Sequence, residues 1–139
     1  MATDISSISP TDLARSRQLF KARLERQFQQ SEARRQDTLA QVLVAVPPIM
    51  AQYPTVRAAY LFGSLLRPGS FRANSDIDIA VVGLEPPCYS SLWHELEVAL
   101  PDWFIDLREL PADSPFTTLV KLTGREIYDC PDTPITSRN

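Results

Sequence analysis

Several residue types and patterns are scarce in this chain, and each scarcity narrows its use. Histidine occurs once, as His94, and cysteine twice, as Cys88 and Cys130, with no paired-cysteine spacing. That is too few nitrogen and sulfur ligands for a zinc site. The opening MATDISSISPTD has neither a basic start nor an apolar stretch, so no secretory signal is expected. The two cysteines are then expected as free thiols in a reducing cytoplasm. No apolar run approaches the ~20 residues of a membrane span, so no membrane partner is expected. There is no internal repeat and no low-complexity tract.

Positive charge is also short where a nucleic-acid grip would need it. Residues 1–37 hold seven basic and five acidic side chains, whereas residues 38–139 hold seven basic and twelve acidic ones. The bulk of the chain is acidic, which argues against direct, sequence-independent binding of duplex DNA or RNA. What remains is an ordinary globular composition. At 139 residues and 44% hydrophobic, the chain is one domain by length and is rich enough in apolar residues to build a core.

The chain is organised around residues 58–83, AAYLFGSLLRPGSFRANSDIDIAVVG. An apolar strand, Ala58 to Phe62, runs into Gly63-Ser64. After a loop, a β-branched strand runs from Asp76 to Val82. Side chains alternate along a strand, so Asp76 and Asp78 point one way while Ile77, Ile79 and Val81 point into a core. Two acids on one face repel each other, and a divalent cation between them would relieve the repulsion.

The combination of apolar strand, Gly63-Ser64, and Asp76-Ile77-Asp78 preceded by Ser75 resembles the nucleotidyltransferase signature of the DNA polymerase beta superfamily, and within it the minimal nucleotidyltransferases (MNT). The usual second glycine of the loop is replaced by Pro68, with Gly69 following, so the loop is one residue longer. The resemblance implies an α/β (α+β) polymerase-beta-like fold, a small mixed sheet with helices on one face. It further implies that Gly63 and Ser64 take the phosphates of ATP and that Asp76 and Asp78 hold magnesium. The third acid of such enzymes, which completes the catalytic and metal-binding set, corresponds to Asp106. Free-standing modules of this kind resemble MNT antitoxins paired with HEPN toxins. The implied function is then AMP transfer from ATP to a hydroxyl, a tyrosine by expectation, of a partner HEPN ribonuclease. A small-molecule nucleotidyltransferase and a non-catalytic toxin-binding module are the alternatives.

Around the signature, Pro10 with Thr11-Asp12 suits a helix start. Leu13, Phe20, Leu24 and Phe28 form a stripe on a helix bordered by Arg15, Arg17, Lys21, Arg23 and Arg26. Residues 29–37 are polar all round, so residues 1–37 are expected as a helical arm that projects or bends before the domain at 38–130. Its stripe either packs on this chain's core or docks a partner or a second copy. Thr38 to Gln41 reads as a capping box opening a second helix, which Pro47-Pro48 should end or kink, with one further turn at Ile49-Met50. Tyr53-Pro54 is a turn.

Beyond Gly83, Ser90 or Ser91 should cap a helix reaching Leu100, with Leu92, Trp93, Leu96, Ala99 and Leu100 inward and His94 on the surface. A strand follows at Trp103–Arg108. There Asp106 is an acid in an apolar setting, costly unless it is paired with a metal or a nearby arginine. Ser114-Pro115 should start a helix that Gly124 stops, and an edge strand follows at Arg125–Tyr128. Residues 131–139 read as a flexible tail. Arg67 and Arg72 either add positive charge for a leaving pyrophosphate or are simply solvated.

Overall fold

The computed structural model describes residues 7–131; the ends beyond, including nearly all of the expected tail, lie outside them. Ser9 caps a helix, α1, spanning Pro10–Met50, its hydroxyl accepting from the Asp12 N–H at 3.1 Å, with Pro10 in the first turn. Strand β1 is Ala58–Phe62, followed by a 3-10 turn at Gly63–Leu66 and strand β2 at Ile77–Val82. Helix α2 is Tyr89–Ala99, strand β3 Ile105–Glu109, helix α3 Pro115–Thr123 and strand β4 Arg125–Asp129.

The four strands form one mixed sheet in the order β3-β2-β1-β4. β1 is antiparallel to both β2 and β4, whereas β2 and β3 run parallel, joined by α2. A parallel pair needs such a crossover, because a tight turn cannot return the chain to the same end of the sheet. β4 lies at an edge, as expected, and no residue of it is fully buried.

α1 and α2 cover one face of the sheet. Val42, Val46 and Met50 of α1 and Leu92 and Leu96 of α2 pack on Ala59, Leu61, Ile77, Ile79, Val81, Ile105 and Leu107. Ile77, Ile79 and Val81 are fully buried, each contributing about 1.5–3 kcal/mol of hydrophobic stabilisation. The expectation of helices on one face describes α1 and α2. α3 adds a smaller cluster, in which Val120 and Phe116 meet Ala80, Tyr60, Phe62 and Val82. That second cluster flanks Asp78 and Asp106.

Two local expectations are corrected. Thr38 does not cap a second helix: it is buried inside α1 and donates its hydroxyl back to the Arg34 carbonyl at 2.8 Å. Such i−4 back-bonding marks a helix interior. The helix does end just past Pro47-Pro48, with the expected further turn to Met50, where the Ala51 N–H reaches the Pro47 carbonyl at 3.0 Å. Neither Ser90 nor Ser91 caps α2; both lie within it, after a short 3-10 turn at Pro86–Cys88.

The arm is helical, as expected, and its stripe takes one of the two readings left open. Leu13, Phe20, Leu24 and Phe28 are 45–60% exposed, so this chain's own core does not cover the stripe. The polar stretch 29–37 does not simply project, because Ser31, Glu32 and Arg35 contact the loop after β1. Among the described residues no helix is long and apolar enough to cross a membrane.

Candidate active site

Three strands place the acids. Register pairs Phe62 of β1 with Asp78 of β2, and Asp78 in turn with Asp106 of β3. Asp78 therefore stands in the middle of one cross-sheet row, on the face opposite the main core. Asp76 lies one residue before β2 and is exposed at its entrance. The backbone there is fixed by the Ile77 N–H, which donates to the Phe104 carbonyl at 2.9 Å.

Gly63 follows Phe62 directly and adopts φ +80°, a left-handed conformation that glycine alone takes without strain. A Cβ there would lie 2.2 Å from Asp78 Oδ2. Glycine is thus required twice, by the backbone and by the carboxylate packed against it. Ser64 sits in the first turn after it, and the Ser64 carbonyl accepts the Arg67 N–H at 3.0 Å.

The electrostatics follow from this packing. Burial, then the negative charge and hydrogen-bonding of the neighbouring Asp106, then the charge of Asp76, push the Asp78 carboxyl up to about 6, against a smaller opposing pull from Arg108. Asp106 itself pairs with Arg108, Nη2 to Oδ2 at 3.2 Å and Nε to Oδ1 at 3.4 Å. The arginine partner is therefore present together with the acid neighbour, rather than instead of it. Arg108 also lies over the Phe116 ring, 5.7 Å from its centroid, and Phe116 meets Phe62 edge-on at 5.5 Å. α3 thereby walls the acid row.

Between the Gly63 turn and α3 lies a cavity of about 410 Å³ lined by Gly63, Leu66, Arg67, Leu119 and Thr123. It opens beside the residues expected to receive phosphates. The lining on α3 is hidden from pattern reading, because Leu119 and Thr123 look like ordinary helix positions. Gly69 takes over the turn that Pro68 cannot make, with φ +81°, and its N–H donates to Glu32 at 2.9 Å.

Among the described residues, no three His, Cys, Asp or Glu side chains are gathered as a ready-made metal cage. The donor set still suits magnesium, which commonly takes one or two carboxylates and completes its shell with water and substrate phosphates. The mutual repulsion recorded at Asp78 is the kind of stress a bound divalent cation relieves.

Residues 45–132 match the sequence family described as Polymerase beta, Nucleotidyltransferase. No curated protein matches. Among solved structures, a mutant MntA–HpeT toxin–antitoxin is 30% identical, with 60% of this chain aligned to 70% of that one at a TM-score of 0.48. A toxin–antitoxin with AMP-PNP is 32% identical over the same shares, also at 0.48. A tri-AMPylated Shewanella oneidensis HEPN toxin in complex with MNT antitoxin gives 27% identity, 68% and 72% coverage, and a TM-score of 0.43.

Proposed function

Because the chain belongs to the polymerase beta nucleotidyltransferase family, we propose that it is an antitoxin that transfers AMP from ATP to a hydroxyl, a tyrosine by preference, of a partner HEPN ribonuclease and so silences it. The observation that carries the reading is the row Phe62–Asp78–Asp106, set beside the left-handed Gly63 turn. The acids lie beside the backbone turn to which we assign the phosphates, an arrangement that suits nucleotidyl transfer.

The acceptor oxygen attacks the α-phosphorus in line, a P–O bond forms to it, and the bond to the β-phosphate oxygen breaks, releasing pyrophosphate. Positioning and charge neutralisation dominate such a step. The Gly63-Ser64 backbone and the Ser64 hydroxyl receive phosphate oxygens. Arg67, which lines the adjoining cavity, faces the leaving pyrophosphate with positive charge. Asp106 accepts the acceptor's proton. Asp76 and Asp78 would hold magnesium, which supplies neutralisation of the phosphate charge.

The test is co-expression with the helical partner, followed by intact-mass measurement of that partner with and without ATP and magnesium. The expected result is a mass gain of one AMP unit or a whole multiple of it. A co-purified partner that stays unmodified under all conditions leaves a binding module and overturns the enzymatic reading. Label from ATP that appears only on small molecules overturns the protein acceptor.

A further inference from the structure

The segment of α1 from Phe28 to Arg35 precedes the residues that match the family, yet it grips the loop that follows Ser64. Arg35, only 6% exposed, donates from Nη1 to the Leu65 carbonyl at 3.0 Å. Its Nε and Nη2 engage Glu32 at 2.9–3.2 Å. Glu32 in turn accepts the Gly69 N–H at 2.9 Å. Ser31 donates to the Phe71 carbonyl at 2.8 Å. The Phe28 ring lies 3.2 Å from where a Gly69 Cβ would be. One face of one helix thus holds the start, the middle and the end of residues 65–71.

Leu65 and Phe71 are buried in the core at the two ends of this loop, but the backbone between them has few bonds of its own. Between the 3-10 turn and β2 it is held by isolated turn bonds, Arg67 to Ser70 and Arg72 to Ser75, and by Phe71 buried against Trp103. Ordering a free loop on ligand binding costs about 1–2 kcal/mol per residue, so a loop already fixed binds more tightly. A buried guanidinium is also an expensive way to fill space, since apolar residues of similar volume do it at least as well. What the arginine adds is direction: it ties a specific carbonyl and a specific carboxylate.

We propose that Glu32 and Arg35 are positioning residues for the nucleotide, bracing residues 65–71 so that the Gly63-Ser64 turn and Arg67 keep the shape that receives the triphosphate of ATP. This rests on the nucleotide reading of the Gly63-Ser64 turn given above. The Glu32 carboxylate, held below the usual range by Arg35 and by the Gly69 N–H, remains an acceptor throughout the neutral range.

The experiment is calorimetric titration of the full chain with a non-hydrolysable ATP analogue and magnesium, on wild type, Glu32→Ala, Glu32→Gln and Arg35→Ala. Glu32→Ala should bind about tenfold more weakly. Glu32→Gln, whose amide oxygen still accepts from Gly69, should recover to within about threefold of wild type. In the transfer reaction Glu32→Ala should raise the KM for ATP by a similar factor and change kcat by less than about twofold. Amide exchange at residues 65–71 should accelerate. A Glu32→Ala chain that melts lower but binds the analogue as wild type does would show a purely structural contact and overturn the brace. If Arg35→Ala fails to fold, Glu32→Ala decides the matter. Wild-type protein that binds no analogue sinks the nucleotide reading itself, and the brace with it, which separates the two failures.

Discussion

Replacing Asp78 by asparagine should stabilise the metal-free protein while abolishing its activity. Asparagine keeps the shape that fits beneath Gly63 and removes the charge that burial and Asp106 oppose. A carboxyl raised from 3.8 to about 6 corresponds to at most about 3 kcal/mol. The group is only half-buried, and solvent screening brings the figure to about 1–2 kcal/mol. The sign follows from the folded value lying above the unfolded one. Proton uptake by Asp78 favours the fold fully below about pH 4, and that contribution is lost as the pH rises through about 6. Wild type and Asp78→Asn should therefore melt together near pH 4 and diverge up to about pH 7, where the variant melts about 3–6 °C higher. The assay is thermal melting from pH 4 to 8 in EDTA, repeated with magnesium, beside nucleotide transfer at pH 7.5. Magnesium should narrow the gap by stabilising wild type alone. A variant that melts lower than wild type at every pH and still transfers nucleotide would refute the reasoning.

Other outcomes follow from the same geometry. Gly63→Ala should cost about 1–3 kcal/mol, read as a lowered Tm, because its backbone is left-handed and its new methyl meets the Asp78 carboxylate. Arg108→Met removes a charge that pulls the Asp78 carboxyl down, so the acid limb of the pH–rate profile should move to higher pH. Asp106→Asn should lower kcat by about 10² or more by removing the proton acceptor, and should also shift the acid limb to lower pH, because one source of repulsion at Asp78 is gone. Chelation should abolish transfer, and magnesium should restore it.

The sheet and the acids were legible because their signals are local. Alternation over residues 76–82 sets β2, the Gly63-Ser64 bend ends β1, and Asp106 is conspicuous as an acid among apolar strand residues. The register that puts Asp106 opposite Asp78 depends on the parallel pairing of β2 and β3, which no local pattern specifies; the resemblance to the family supplies it in advance. The arm was harder to read. Thr38 and Gln41 have the spacing of a capping box, but good helix formers on both sides carry α1 straight through. Arg35 and Glu32 look like solvated charges because their loop partners, Leu65 and Gly69, are 30 and 37 positions away. Phe71 looks like a loop residue, yet it is fully buried against Trp103. In each case a long-range contact outweighs the local pattern.

The central claim is that Asp78 and Asp106, set beside the Gly63 turn, direct attack at the α-phosphorus of ATP. It is tested most directly by supplying the chain and its partner protein with ATP labelled either at the α- or at the γ-phosphate, with magnesium, and following both labels. The account predicts that the α-label moves onto the partner protein and the γ-label leaves in pyrophosphate, and that both movements are abolished in Asp78→Asn. The γ-label on the protein, or α-label transfer undiminished in that variant, would contradict it.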